Sequence, residues 1–326
     1  MTLPVGPQPL SIDKLEMSLR LGRNNFVTLG FLANMLQIYV RRGEARYQRP
    51  IQYSNNGRGS RFHTIYLLPN RMCSLGVETG VATDRNRRHH PYVKFSFNVQ
   101  RIRSFPDAGR RLRVVLSELS SNGGDTSLFD DGYVLYAEFS ADFRGVEVES
   151  IDAYHPTLDT SLYFSRHSAI KTINLHDQRP GRPEAFCVYD KGLAEREKPV
   201  RIRRGPFLRI ESKRRFNRTP TYQQLQLEGL HSIPNPFREL RIYDREAMES
   251  TFTAARHKSF LTKVRQQGVQ AALAGTRGAD RDRRERMLDE HCRVDWWDPE
   301  RTWAGRHHAI NAVRALLGGS LYTIVH

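Results

Sequence analysis

The segment YVLYAEFSADF, residues 133–143, decides how the chain is read. Side chains alternate between the faces of a strand, so Glu138, Ser140 and Asp142 fall on one face, with Leu135, Ala137, Phe139, Ala141 and Phe143 on the other. This is the pattern of a half-buried strand with an acidic outer ridge. FLRIESKRR (207–215) repeats it with a different chemistry: Arg209, Glu211 and Lys213 share a face opposite Leu208 and Ile210. Between the two in sequence lie SLYFSRHS (161–168), with Tyr163, and AFCVYDK (185–191), with Tyr189 and Lys191. Strands buried on one side and charged on the other predict a mixed α+β region built on a mainly antiparallel sheet with flanking helices.

Composition bounds the partners. The chain has 326 residues, and Lys and Arg outnumber Asp and Glu by 51 to 35, a formal charge of +16. Such an excess favours a polyanion, with nucleic acid foremost. The longest apolar run, residues 26–40, is too short to span a bilayer and is interrupted by Thr28, Asn34 and Gln37, so no membrane partner is expected. Cys73, Cys187 and Cys292 are odd in number and far apart. They make neither a disulfide framework nor a four-ligand zinc site, and with no secretory start in MTLPVGPQPL they point to the cytoplasm.

Working outward, IDKLEMSLRL (12–21) alternates as an opening strand, and Asn24 or Asn25 caps a helix whose apolar positions run from Phe26 to Val40. SNNGRGS (54–60) is a turn, with strands expected over 61–68 and 71–77. Arg85, Arg87, Arg88, His89 and His90 lead into YVKFSFNV (92–99); Val93, Phe95, Phe97 and Val99 face one way, Lys94 and Asn98 the other. Arg87 and Arg88 are therefore candidates for contact with a DNA backbone, against the plainer reading of a solvated loop. A helix is expected over 108–119. Beyond 217 the pattern is mainly helical, broken by IPNP (233–236), with a charge-dense solvated helix over 277–291 and a last helix near 306–317. The expected division is residues 1–216 and a smaller helical region over 217–326.

A tyrosine hydroxyl, carboxylates that can hold a divalent metal, and surrounding cations are what metal-assisted phosphodiester cleavage with a tyrosyl nucleophile requires. Glu138 and Asp142 stand ~13 Å apart on a regular strand. One of them is therefore expected to work with Glu211 across a strand pair, while the other is structural or reaches a neighbouring site. A histidine-held metal is disfavoured, because no two histidines lie one residue apart. The spacing in HHAINAVRALLGGSLYTIVH (307–326) likewise argues against a tyrosine recombinase. A non-enzymatic, sequence-specific DNA-binding protein fits the charge equally well and is the alternative.

In their order, LSIDKLEMSL, YVKFSFNV, YVLYAEFSADF, SLYFSRHS, VYDKGLAERE and LRIESKRR resemble the motifs of the trans-acting Rep family of rolling-circle plasmid replication initiators, over roughly residues 10–215. The resemblance implies a metal-assisted nick at a plasmid or phage origin that leaves a 5'-phosphotyrosyl link and a free 3'-hydroxyl. It implies Tyr163 as nucleophile, Lys191 as accessory cation, and Glu138, Asp142 and Glu211 as ligands of Mg2+ or Mn2+. Arg209 and Lys213 join Arg87 and Arg88 as DNA-contact candidates. Double- and single-stranded origin DNA, a host helicase and a homodimeric partner are implied too. Ser165 stands where the family usually has glycine, and IKTINLHDQ (170–178) separates Tyr163 from the YDK strand, so Tyr189 is the second candidate nucleophile.

Overall fold

The computed structural model describes residues 9–20, 26–43, 46–48, 62–70, 73–83, 89–99, 105–120, 132–165, 169–177, 184–192, 206–216 and 224–318. Arg87 and Arg88 lie outside them. In chain order the elements are β1 (Ser11–Arg20), α1 (Phe26–Arg41), β2 (Arg46–Gln48), β3 (Phe62–Asn70), β4 (Cys73–Thr83), β5 (His89–Asn98), α2 (Phe105–Ser120) and β6 (Tyr133–Arg144). They continue with β7 (Ile151–Tyr154), β8 (Asp159–Phe164), β9 (Ile170–His176), β10 (Glu184–Asp190), β11 (Phe207–Arg215) and β12 (Arg241–Asp244). The last five are helices: α3 (Arg245–Thr251), α4 (Lys258–Ala274), α5 (Ala279–His291), α6 (Pro299–Ala304) and α7 (Arg306–Gly318). The expected mixed fold, a mainly antiparallel sheet with helices and a helical C-terminal region, is the one observed.

The chain forms two compact units, one of residues 1–11, 139–214 and 234–306, the other of residues 12–138, 215–233 and 307–326. Residues from both sides of position 217 contribute to each.

In the second unit the strand order is β2-β3-β4-β5-β1, followed by residues 133–138 of β6. Leu15 pairs with Phe97, Met17 with Phe95 and Leu19 with Val93, and all six are buried. On the other face of β1 and β5, Glu16 bridges Lys14 at 2.8 Å and Lys94 at 2.9 Å. Burial opposes ionisation of Glu16, but the charges of Lys94 and Lys14 prevail and hold its carboxyl below the ordinary value. Lys94 is thus neutralised within the fold. Lys14 and Arg215 both lie over the ring of Tyr136, at 5.0 and 5.5 Å from its centroid.

The first unit carries residues 139–144 of β6 and then β11-β10-β9-β8. The pairs β11/β10, β10/β9 and β9/β8 are antiparallel. One face is covered by the C-terminal segment. Phe139 meets Trp303 edge-on at 5.0 Å, and Phe143 lies 4.7 Å from Trp296 and 5.7 Å from Trp297. Phe237 bridges Phe186, Trp297 and Trp303, and the indole of Trp297 donates to the Leu240 carbonyl. Aromatic residues bury the most area per side chain, and edge-on pairs add to it. Asp298 caps α6 by accepting from the Glu300 and Arg301 amides, with Pro299 opening the helix.

A second, smaller sheet pairs β7 with β12. It shares a core with α3, α4 and α5 built from Tyr154, Tyr243, Phe252, Phe260, Val264 and Leu288, among others. Polar pins lock α5 onto it: Tyr154 donates to Glu285 at 3.0 Å and Tyr243 to Asp289 at 2.8 Å. Burial, then the neighbouring carboxylate, pushes both hydroxyls above the ordinary tyrosine value.

Helix α4 breaks at Gly268 (φ 85°, ψ 168°), a left-handed conformation that favours glycine. A Cβ there would meet Thr160 Cγ2 at 3.0 Å and Asp152 Oδ1 at 3.5 Å. Asp152 is wholly buried. Its Oδ2 takes the Arg245 guanidinium at 3.0 Å, while Oδ1 faces Gly268 without a well-formed hydrogen bond. Burial outweighs Arg245 and the amides of Val269 and Ala153, and pushes the carboxyl up from 3.8 to about 6.

A raised carboxyl pKa is a stability contribution complete below the unfolded value and lost as the pH rises through the folded one. Asp152→Asn removes that titration. Measured by urea unfolding, the stability of the variant relative to wild type should rise by about 2 kcal/mol between about pH 4 and pH 7. A relative stability independent of pH would show that Asp152 ionises in the fold without cost.

Candidate functional site

Strand pairing in the first unit aligns a row of side chains across the uncovered face. Tyr163 on β8 opposes Thr172 on β9, Thr172 opposes Tyr189 on β10, and Tyr189 opposes Arg209 on β11. Arg209 reaches Asp142 on β6 through two hydrogen bonds, Nε to Oδ1 at 2.5 Å and Nη2 to Oδ2 at 2.7 Å. Directly opposed residues share a face, so all five side chains project from the same side. The next row brings Cys187 opposite Glu211. Sequence alternation had already placed Asp142 on one such face and Arg209, Glu211 and Lys213 on another; the sheet makes these one surface.

The centre of the row is a packed ion cluster. Arg209 is only 2% exposed, and its planar fork is spent on the Asp142 carboxylate. Lys191, just beyond the end of β10, adds a third contact to Asp142 Oδ2 at 3.2 Å and lies over the ring of Phe207. Burial disfavours the Asp142 anion. The hydrogen bonds and charge of Arg209, then those of Lys191, outweigh it and hold the carboxyl below its ordinary value. Beside this group, Tyr189 donates its hydroxyl to Glu211 Oε1 at 2.7 Å. Lys213 stands 3.5 Å from Glu211 Oε2 and Arg209 4.0 Å from Oε1. Three cations thus surround two carboxylates and one phenol.

Tyr163 stands elsewhere on the same row. It is 55% exposed on the outermost strand, β8. Three strand spacings separate β8 from β11, so its backbone is roughly 14 Å from that of the Glu211 strand. The register slips after Tyr163: it faces Thr172, while Phe164 faces Ile170. The extra residue on β9 is Lys171, a bulge beside the tyrosine.

Two of the three expected metal ligands, Asp142 and Glu211, lie in one compact unit and are already engaged by side chains. Glu138 belongs to the second unit, while Asp142 and Glu211 belong to the first. Both oxygens of Asp142 are taken by Arg209 and Lys191, and Glu211 holds Tyr189 and Lys213. Among the described residues no three His, Cys, Asp or Glu side chains cluster as a metal site. Carboxylates already neutralised by side-chain cations are a poor donor set for Mg2+ or Mn2+, which bind through oxygens with few competing positive charges. As arranged, Asp142 and Glu211 do not fit the ion.

Sequence alternation could not tell that Arg209 is the buried partner of Asp142, because its position on β11 shows only its face. The Tyr189–Glu211 contact was equally hidden, since it depends on the β10/β11 register. The signal available was an arginine between Leu208 and Ile210 in a strand: if that strand is covered on both faces, the cation needs a partner within the fold.

Comparison of the chain with protein-family models gives no match, and none is found among curated proteins.

Removing one partner of a buried pair leaves an uncompensated charge. Asp142→Ala should therefore cost about 3–5 kcal/mol in urea unfolding, and pairing Asp142→Leu with Arg209→Met should recover most of it. Because the Asp142 carboxyl is held low, its contribution is present above the ordinary carboxylate range and lost as the pH falls below it. Wild-type stability for the single variant would mean that Arg209 finds another partner.

Proposed function

We propose that the chain is a rolling-circle replication initiator that binds a plasmid or phage origin and nicks one DNA strand through a tyrosine, as its motifs imply. The observation that carries this reading is the 2.7 Å hydrogen bond from the Tyr189 hydroxyl to Glu211. A nucleophile within hydrogen-bond reach of a base, with cations alongside, is the arrangement that tyrosyl phosphoryl transfer needs. A free tyrosine titrates near pH ~10, so at neutral pH the phenol needs a base at the moment of attack.

In the proposed step, Glu211 accepts the phenolic proton as the Tyr189 oxygen attacks a backbone phosphorus. The bond from phosphorus to the 3'-oxygen breaks, and that oxygen leaves as a hydroxyl after taking a proton from solvent. The products are a 5'-phosphotyrosyl link and a 3'-hydroxyl able to prime synthesis. One ester replaces another, so the link stores the energy for later rejoining. Lys213, a third exposed, is the cation best placed to meet the phosphate. Arg209 and Lys191 are held on Asp142 and set the position of Glu211's neighbours. The reading thus moves the attack to the second candidate. Tyr163 keeps one observation in its favour: it is the exposed tyrosine of the row, open to a strand from solution.

The proposal extends to a host helicase and a second copy of the chain as partners, and to a cytoplasmic setting. Among the described residues no helix is long and apolar enough to cross a membrane.

The deciding assay incubates the purified protein with supercoiled DNA carrying its own origin, with and without magnesium, and scores nicked circles and covalent protein–DNA species. Tyr189→Phe keeps the ring and removes the oxygen, so it should bind the origin normally yet form neither product. Glu211→Gln should lower the nicking rate by about 10²–10⁴-fold with binding retained. If Tyr163→Phe is inactive and Tyr189→Phe active, attack comes from the exposed edge. If both nick as wild type does, neither tyrosine is the nucleophile and the tyrosyl mechanism falls; if wild type forms neither nicked circles nor an adduct, the non-enzymatic DNA-binding alternative stands instead.

A further inference from the structure

Helix α4 and the turn before it carry a cationic groove on the side of the first unit away from the Tyr189 face. The helix abuts β8 through Gly268 and Thr160. Thr160 opposes the buried Leu175, whereas Tyr163 opposes Thr172, so the two β8 residues project to opposite faces. The groove, about 650 Å³, is lined by Ala255, Arg256, Lys258, Ser259, Thr262, Lys263 and Gln266. That volume has room for more than one phosphate group.

Three features bear on its occupant. First, the lining contains three cations and, among the described residues, no carboxylate. Among the described residues Arg256, Lys258 and Lys263 form no ion pair, whereas Arg241, Arg245, Arg265, Arg281 and Arg293 are each paired with an Asp or Glu. Second, Ser259, Lys263 and Gln266 recur at three- and four-residue spacing, so hydroxyl, ammonium and amide donors form one stripe along the helix, while the Thr262 hydroxyl beside them donates to the Lys258 carbonyl at 2.9 Å. Phe260 and Val264 turn inward to the core. Third, the Arg256 guanidinium is anchored by its Nε on His257 Nε2 at 3.3 Å, and its terminal nitrogens have no hydrogen-bond partner among the described residues. The local field is positive. Burial, then the charges of Arg256, Arg284 and Arg283, depresses the His257 pKa against the opposing charge of Asp280.

We infer that this groove grips consecutive backbone phosphates of duplex DNA, as an anchor separate from the face where the strand is cut. Arg, Lys, Ser, Thr and Gln are the side chains that contact phosphates without reading sequence. An anionic membrane is the other polyanion of suitable charge. It is disfavoured because Ala255 is the only apolar lining residue, leaving nothing to enter the acyl layer. The inference rests on the proposed action on DNA and assigns a duplex contact to this groove.

The test is the triple variant Arg256→Glu, Lys258→Glu, Lys263→Glu, with fluorescence anisotropy on a labelled duplex of arbitrary sequence over a salt series. Each lost phosphate contact lowers the slope of log affinity against log salt by about 0.9, so the slope should fall by about 2–3 and affinity at physiological salt by about tenfold or more. Cleavage of a short single-stranded origin oligonucleotide should continue at the wild-type rate. Should the triple variant not fold by circular dichroism, Lys258→Gln with Lys263→Gln is used, with an expected slope change of about 2. An unchanged slope in a folded variant overturns the anchor. So does wild-type protein that sediments with phosphatidylserine vesicles while ignoring the duplex. The two readings separate cleanly: loss of the slope without any nicking by wild type keeps the anchor and rejects the nuclease, and nicking with an unchanged slope does the reverse.

Discussion

Burial of the Arg209 guanidinium is the constraint from which the rest of the candidate site follows. A cation 2% exposed on a central strand is tolerable only if its charge is met and its donors are satisfied. Asp142 does both, through two hydrogen bonds across the β6/β11 seam. With Asp142 committed to Arg209, Lys191 adds its charge at the rim of the pair. Glu211 stays at the edge of the cluster, available to the phenol of Tyr189. Each member's role is thus set by what its neighbour has already taken.

The opposite face explains why such a cluster can exist on so few strands. Phe139 and Phe143 project from β6 on the side away from Asp142 and meet three tryptophans contributed by the last part of the chain. One strand therefore holds an aromatic core on one face and an ion cluster on the other. The apolar burial on the covered face offsets the desolvation cost of the charged one.

Charge in this protein divides into two kinds. Arg209, Lys191, Lys94, Arg241 and Arg245 are tied to carboxylates within the fold. Arg256, Lys258 and Lys263 are gathered around a groove whose lining has no acid among the described residues. A net charge of +16 is by itself an argument about partners. Its distribution narrows the argument, because only cations without internal partners keep their field for a ligand.

By itself the sequence determined the local geometry. Alternation over 133–143 and 207–215 set which residues are strand and which face each takes, and the spacing of Leu32 and Leu36 set a helix, because both depend on residues near in sequence. The face shared by Arg209, Glu211 and Lys213 was legible for that reason. What only the tertiary structure decided is adjacency. Which strands are neighbours, and in what register, depends on contacts between residues far apart in the chain. Shifting β10 by one residue against β11 would exchange its two faces and remove Tyr189 from Glu211. The same holds for the carboxylates: Glu138 and Asp142 read as equivalent on one ridge. Long-range pairing gives Asp142 to Arg209 and leaves Glu138 in a different compact unit.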